Sequence, residues 1–201
     1  MKEIYSLNQK SNFPSSKDKI QPELETDILN YPTASAIIQA LEIEKLEGRK
    51  RRIIIKIQIP YSLEQVWQIL TDYEAFMEFM PSLVESKRLE HPTGGIRLQQ
   101  VRSKNFMGMK FSGRSVFDIK ENFPHEIHYQ LIEGDMKALN GYWRLEPWNL
   151  SESKVGTNLI YDFIVLPKPI FPMALLERIL SHDLPLNMIA ISKRLEEVFG
   201  S

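Results

Sequence analysis

Apolar and polar positions alternate with a period of two from Arg51 to Ile59. Ile53, Ile55, Ile57 and Ile59 share one side, and Lys56 and Gln58 point the other way. That pattern predicts a strand with one wet face, ended by Pro60. The period then changes. Leu63, Val66, Trp67 and Leu70 fall on one face of a helix that Ser62 caps, and Gln65 at the third helical position completes a capping box. A second short helix is predicted across Tyr73–Phe79, stopped by Pro81.

Beyond Pro81 the helical signal disappears. Strand-like runs follow at 84–89, 95–106, 109–119, 127–132, 138–145 and 157–166. They are separated by turn chemistry such as His91-Pro-Thr-Gly-Gly95, Met107-Gly108 and Asn149-Leu-Ser-Glu-Ser153. Links this short join antiparallel neighbours, because a parallel return needs a dozen or more residues. Residues 171–199 then carry apolar positions at helical spacing, among them Leu175, Leu176, Ile179, Leu180, Ile189, Leu195 and Val198. This long helix follows the strands instead of alternating with them, so it covers a sheet. His182-Asp-Leu-Pro185 interrupts it, and Pro185 predicts a kink or a split. The fold class is therefore α+β: one strand, two helices, six strands and a final helix, with a strongly curved antiparallel sheet wrapped around that helix.

Residues 1–50 read as an N-terminal extension, partly flexible, and 51–199 as the folded domain. The first 32 residues are polar and broken by Pro14, Pro22 and Pro32, a composition that buries little surface. Within 33–46, the spacing of Ile37, Ile38, Leu41 and Ile43 suits either a short strand or a helix. The 25 basic and 26 acidic residues are mixed along the 201-residue chain, which gives no general attraction to nucleic acid. Without cysteine there is no disulfide framework, thiolate nucleophile or sulfur-ligated metal. No apolar run approaches a membrane span, so a cytoplasmic protein is expected, at most peripheral to a membrane.

The sheet faces bear on function. Met109, Phe111, Phe117 and Ile119 lie on one side of their strand, together with the small Gly113 and Ser115. Leu139, Gly141, Trp143 and Leu145 share a face of another strand, and Ile127, Tyr129 and Leu131 a face of a third. Glycine beside large aromatics fits a cavity with aromatic walls, but equally the bends of a sheet over a filled core. Met107, Met109, Met173 and Met188 would give such a cavity an adaptable lining, or simply fill gaps.

The stretches Ile59-Pro-Tyr-Ser-Leu-Glu-Gln-Val-Trp67, Asp72-Tyr-Glu-Ala-Phe-Met-Glu-Phe-Met-Pro81, Leu139-Asn-Gly-Tyr-Trp-Arg-Leu-Glu-Pro147 and Gly156-Thr157 occur in that order. With them the chain resembles the START-like, helix-grip superfamily over residues 51–199, in the branch of polyketide cyclases/dehydratases and coenzyme Q-binding proteins. The resemblance implies a cavity for a hydrophobic small molecule such as an isoprenoid quinone, lipid or polyketide-like ring system. It places Phe76, Phe79 and Met80 beside the cavity entrance and a covering helix with Met173, Leu176 and Leu180 above it. The walls would come from Met109, Phe111, Phe117, Tyr129, Trp143 and Phe163. The segment Phe163-Ile-Val-Leu-Pro-Lys-Pro-Ile170 departs from the Phe-x-Phe-x-x-Pro-Leu of quinone-binding members, which favours an apolar ligand in general over a quinone in particular.

No catalytic residue and no cofactor or metal site is assigned. His125, His128 and His182 are the titratable candidates near neutral pH. Of these, His128 falls out of phase with the inner positions and His125 sits in a turn. No two histidines have a local metal-binding spacing, and Tyr129, Tyr142 and Arg102 are weaker polar candidates. The run Arg49, Lys50, Arg51, Arg52 is the strongest local charge feature and suits peripheral contact with an anionic membrane, although Glu42, Glu44 and Glu47 precede it. Three readings follow: a carrier or chaperone for a hydrophobic molecule, a cyclase or dehydratase acting in the same cavity, and a protein-interaction module.

Overall fold

The structure, a computed structural model, describes residues 2–5, 37–150 and 155–200. The polar arm expected over the first 32 residues lies outside these apart from 2–5, as does most of the turn expected at 149–153. Nine strands form one antiparallel sheet: β1 (Lys2–Tyr5), β2 (Ile38–Lys45), β3 (Arg51–Ile59), β4 (Leu83–Leu89), β5 (Ile96–Phe106), β6 (Met109–Asn122), β7 (Glu126–Gly134), β8 (Met136–Asn149) and β9 (Val155–Pro167). Their spatial order is β1-β2-β3-β9-β8-β7-β6-β5-β4. Two helices, α1 (Leu63–Thr71) and α2 (Phe76–Phe79), carry the chain from β3 across to the far edge at β4.

The local chemistry explains these elements. In β3 the four isoleucines at odd positions are fully buried while Lys56 is exposed, so alternation sets which face meets the core. At the start of α1, Ser62 Oγ accepts from the Gln65 amide at 3.3 Å. The Ser62 amide in turn donates to Gln65 Oε1 at 3.0 Å, which closes the capping box. The helix buries Val66, Trp67, Ile69 and Leu70. β2 pairs with β3 from Lys45↔Arg51 onward, which puts Ile38, Leu41 and Ile43 into the core.

The strongly curved sheet expected from the sequence is not what forms. The sheet is open, with β1 and β4 as its edges, and it neither closes nor curls tightly around the helix. The expectation rested on glycine as the mark of a bend, and the pairing shows why that fails. Gly113 pairs with Arg102, and Gly141 pairs with both Tyr129 and Phe163, in unbroken register. The irregularities fall elsewhere, at Ile38/Ala40, Leu83/Glu85, Val116/Phe117 and Met136/Ala138. Gly141 instead permits close strand approach: a Cβ there would lie 2.2 Å from the Asp162 carbonyl oxygen and 2.5 Å from Phe163 Cβ.

The C-terminal helical segment packs on one face of this sheet and against α1. It is divided into α3 (Met173–Arg178), a wider π-helical turn (Ile179–Asp183) and α4 (Leu184–Phe199). Pro185 follows directly on the π-helical turn, where the backbone stays helical through Asp183 and Leu184, and it has no N–H to give to the preceding turn, so the helix widens there and continues. The core between helix and sheet is built from the odd positions of β3 and β9 with Leu176, Leu180, Met188, Ile191 and Leu195.

Candidate functional site

Cross-strand register brings a row of aromatic side chains together on the helix-facing side of the sheet. Trp143 on β8 pairs with Tyr161 on β9, and their rings stack with centroids 3.8 Å apart. Tyr161 also lies 4.7 Å from Phe163 and 5.8 Å from Tyr129, and Phe117 meets Tyr129 edge-on at 5.6 Å. Gly141, paired with both Tyr129 and Phe163, presents no side chain between them. The Tyr129 hydroxyl donates to that of Tyr161 at 2.8 Å.

Beside the tyrosines stands a polar strip. Leu98, Gln100, Arg102 and Lys104 on β5 pair with Phe117, Ser115, Gly113 and Phe111 on β6, so all share the inner face. Lys104 is ion-paired to Asp183 in the π-helical turn, and Asp183 Oδ1 also bonds His182 Nδ1 at 2.8 Å. Both His182 and Asp183 are buried, and His182 Nε2 is sealed without a partner among the described residues.

Arg102 differs from the other core-side cations. It stands on the inner face opposite Gly113 with much of its surface solvent-accessible, and desolvation lowers its pKa. Among the described residues, no protein group accepts a hydrogen bond from it and no carboxylate pairs with it. The charges and dipoles that reach it are those of Tyr161, Asp183 and Tyr129. Burial raises the pKa of both tyrosines, while Arg102 works in the opposite direction on each. Both hydroxyls therefore stay protonated as donors.

The residues read from the sequence as ligand contacts fall into four places. Phe117, Tyr129, Trp143 and Phe163 form the aromatic row with Tyr161. Phe76 and Phe79 meet edge-on at 5.7 Å at α2, beside the buried Met80, while Leu176 and Leu180 are buried on the helical side and Met173 packs partly buried against the core. Met109 is exposed at the tip of the β5–β6 hairpin, and Phe111 is half-buried against Phe106. Tyr161 and Asp183 were not singled out from the sequence, though the alternation Leu159, Tyr161, Phe163, Val165 carries the signal for Tyr161. His125 and His128 are exposed, and His128 bonds Glu126 at 2.8 Å.

The opposite face holds an open groove of about 440 Å³ lined in part by Asn140, Tyr142, Asp162 and Ile164. Arg52 reaches Asp162 there through two nitrogens, at 3.1 and 2.8 Å, and Tyr142 donates to the same carboxylate at 3.0 Å. The basic run thus folds onto the protein itself: Arg49 bonds the carbonyls of Pro169 and Phe171, and Arg51 pairs with Glu177 at 3.0 Å. No helix among the described residues is long and apolar enough to cross a membrane.

One antiparallel sheet gripping a C-terminal helix across an aromatic face defines a helix-grip protein. The model of the family described as polyketide cyclase/dehydrase and lipid transport matches residues 59–189, and the chain belongs to that family. A curated relative, the ribosome association toxin RatA of Escherichia coli K12, is 26% identical over 105 residues, 52% of this chain. That match spans 64% of the relative's length. Among solved structures, TTHA0849 of Thermus thermophilus superposes with a TM-score of 0.61 at 17% identity, over 74% of this chain and 99% of that one. A STAR-related lipid transfer protein from Xanthomonas axonopodis gives 0.59 at 15% identity, over 78% of this chain and 93% of the other.

Proposed function

We propose that the protein binds a hydrophobic small molecule between the aromatic row and the C-terminal helix, as a carrier or chaperone. The observation that carries this reading is the inner face itself, where Tyr129, Leu131, Trp143 and Tyr161 face the helix yet stay only partly buried and Arg102 stays exposed. Accessible surface at depth implies a hollow, and its walls would be Phe117, Tyr129, Trp143 and Tyr161, a largely apolar lining with few polar groups. Binding would be driven by removal of the ligand's apolar surface from water, at about 25 cal/mol per Å². Membership in a family that includes lipid transport supports the same reading.

A cyclase or dehydratase reading draws on the buried His182–Asp183 pair. We place it second, because His182 Nε2 is enclosed and has no open path to a substrate proton. Contact with an anionic membrane or a ribosome would need basic groups facing outward. Arg51 and Arg52 are instead paired with Glu177 and Asp162 of this chain, and Arg49 is turned onto the carbonyls of Pro169 and Phe171, which leaves Lys50 as the member of the run with no carboxylate partner among the described residues.

The test is purification of the full chain from its native host, extraction with organic solvent and mass spectrometry of the extract. A stoichiometric apolar molecule, absent from a control protein handled identically, is the expected outcome. An extract that contains none, combined with failure to bind any fluorescent apolar probe, would overturn the proposal.

A further inference from the structure

Beyond the ligand reading, and independently of it, we infer that one end of the molecule docks on an anionic lipid surface, with Met107, Met109 and Ile170 entering the lipid and the lysines around them meeting its head groups. Four connections share this end of the sheet: β2 to β3, β5 to β6, β7 to β8 and β9 to α3. Among the described residues, Ile170 and Met107 are the most exposed large hydrophobic side chains, at 91% and 81%, and both stand here. Met109, next to Met107 in the same turn, is 59% exposed.

Both apolar tips are built to point outward. Met107 and Gly108 make a two-residue turn between the paired Phe106 and Met109, and both lie in the left-handed region, at φ 50° and 75°. Asparagine or glycine adopts that conformation at lower cost than methionine. A methionine side chain this exposed returns little to the fold, so its apolar surface serves something outside it. Ile170 is held in place. Arg49 donates to the carbonyls on either side of it, those of Pro169 and Phe171, and the Phe171 amide closes the turn onto the Lys168 carbonyl at 3.0 Å. Lys104, ion-paired to Asp183, draws the β5–β6 arm toward the helical segment that Ile170 precedes.

Charge selects the partner. Lys110, Lys137 and Lys168 are exposed in or beside these turns and, with the half-buried Lys50, have no carboxylate partner among the described residues. Of the carboxylates in the same turns, Glu133 is taken by Arg114, which leaves Glu47 and Asp135, and Asp135 accepts the Arg114 amide. Free cations therefore outnumber free anions. Lysines beside protruding aliphatic tips suit a bilayer, whose head groups meet the charge while the side chains reach the acyl region. A protein partner would need a separate pocket for each convex tip, whereas lipid deforms around both.

The experiment sediments the full-length protein with vesicles of phosphatidylcholine alone and of equal parts phosphatidylcholine and phosphatidylglycerol. Binding is expected to favour the anionic vesicles. Lys110→Gln and Lys168→Gln should each weaken it about fivefold, and Met107→Ser combined with Ile170→Ser about tenfold or more. All four positions are exposed, so melting should match wild type. Because the chain has no cysteine, Met107→Cys carries a single environment-sensitive dye at the tip. Its emission should shift to the blue on anionic vesicles, while a dye on Val155→Cys, exposed at the opposite end of the sheet, should not respond. Absence of sedimentation, variants that bind like wild type, or a Met107 dye that responds no more than the Val155 dye each overturn the docking end. Vesicle binding is read without any ligand, so its failure leaves the hydrophobic-ligand reading to the solvent extraction.

Discussion

Lys104, on the β5–β6 hairpin, is ion-paired to Asp183 in the π-helical turn of the C-terminal segment. The pair ties an otherwise lightly supported arm to the helix. Pairing of β4 with β5 ends at Leu83↔Arg102, with one further bond from the Ser103 amide to the Ser82 carbonyl, and pairing of β6 with β7 ends at Ser115↔Gly134, with one from the Asp135 amide to the Arg114 carbonyl, so beyond Lys104 and Gly113 the strands of the hairpin pair with each other. The two partners are not equivalent. Replacing Lys104 by Met leaves Asp183 with His182 and the field of Arg102. Replacing Asp183 by Asn leaves Lys104 without its carboxylate and removes the negative charge that reaches Arg102. Asp183→Asn is therefore expected to destabilise by about 3 kcal/mol, and Lys104→Met by clearly less. Urea unfolding of both variants checks the order; equal losses would show that Arg102 lies outside the reach of Asp183.

Gly141 gives a sharper steric prediction. A methyl group there would overlap the Asp162 carbonyl oxygen and Phe163 Cβ, which belong to the paired strand and have no room to move. Gly141→Ala should cost about 3 kcal/mol or more and lower Tm by roughly 6–12 °C. It should also disturb the Tyr129–Tyr161 hydrogen bond that crosses over this position. A melting curve that matches wild type would mean that β8 and β9 shift apart at low cost.

What the sequence reveals is what local chemistry decides. The strand at 51–59, the capping box of Ser62 and Gln65 and the strand runs after Pro81 follow from period and caps, which depend only on near neighbours. Sheet shape does not. Gly113 and Gly141 look alike in sequence, yet one stands opposite Arg102 beside open space and the other serves close contact with β9. The expectation of strong curvature failed because only the pairing distinguishes these roles from a bend. The polar strip is hidden for a related reason. In β5, Gln100, Arg102 and Lys104 occupy the inner parity set by Leu98, and a run of polar residues at alternate positions reads as a wet face. Only Lys104's contact with Asp183, from a helix 79 residues away, shows that the face is covered.

The Arg52–Asp162 pair makes stability depend on acid pH in a stated direction. Burial pushes the Asp162 pKa up, but hydrogen bonds from Arg52 and Tyr142 outweigh it and hold the carboxyl below its ordinary 3.8. With the folded value below the unfolded one, the stabilisation is fully present above the unfolded pKa and is lost as pH falls through the folded one. Asp162→Asn should cost about 2 kcal/mol near neutrality. The gap between wild type and variant should narrow steadily below about pH 4. Urea midpoints measured across this range check it, and a gap that stays constant with pH would show that the Asp162 pKa is unchanged by folding.

Gly113 tests the hollow without replacing a charged residue. Its Cβ position meets only Asp135 Oδ2, at 3.6 Å, and it pairs with Arg102 on the inner face. A side chain grown from this point enters the space assigned to the ligand. Gly113→Ala should be neutral or stabilising by up to about 1 kcal/mol, since it removes backbone freedom from the unfolded chain without a clash. Gly113→Leu should remain folded with a Tm close to that of wild type, while the signal of a bound fluorescent apolar probe falls several-fold because the side chain takes up ligand volume. A filled core predicts the reverse for leucine: overpacking would lower stability by about 1–3 kcal/mol. Thermal melting and probe titration of the two variants together therefore separate an open site from a packed one, because only an open site lets leucine displace the probe and leave the fold intact.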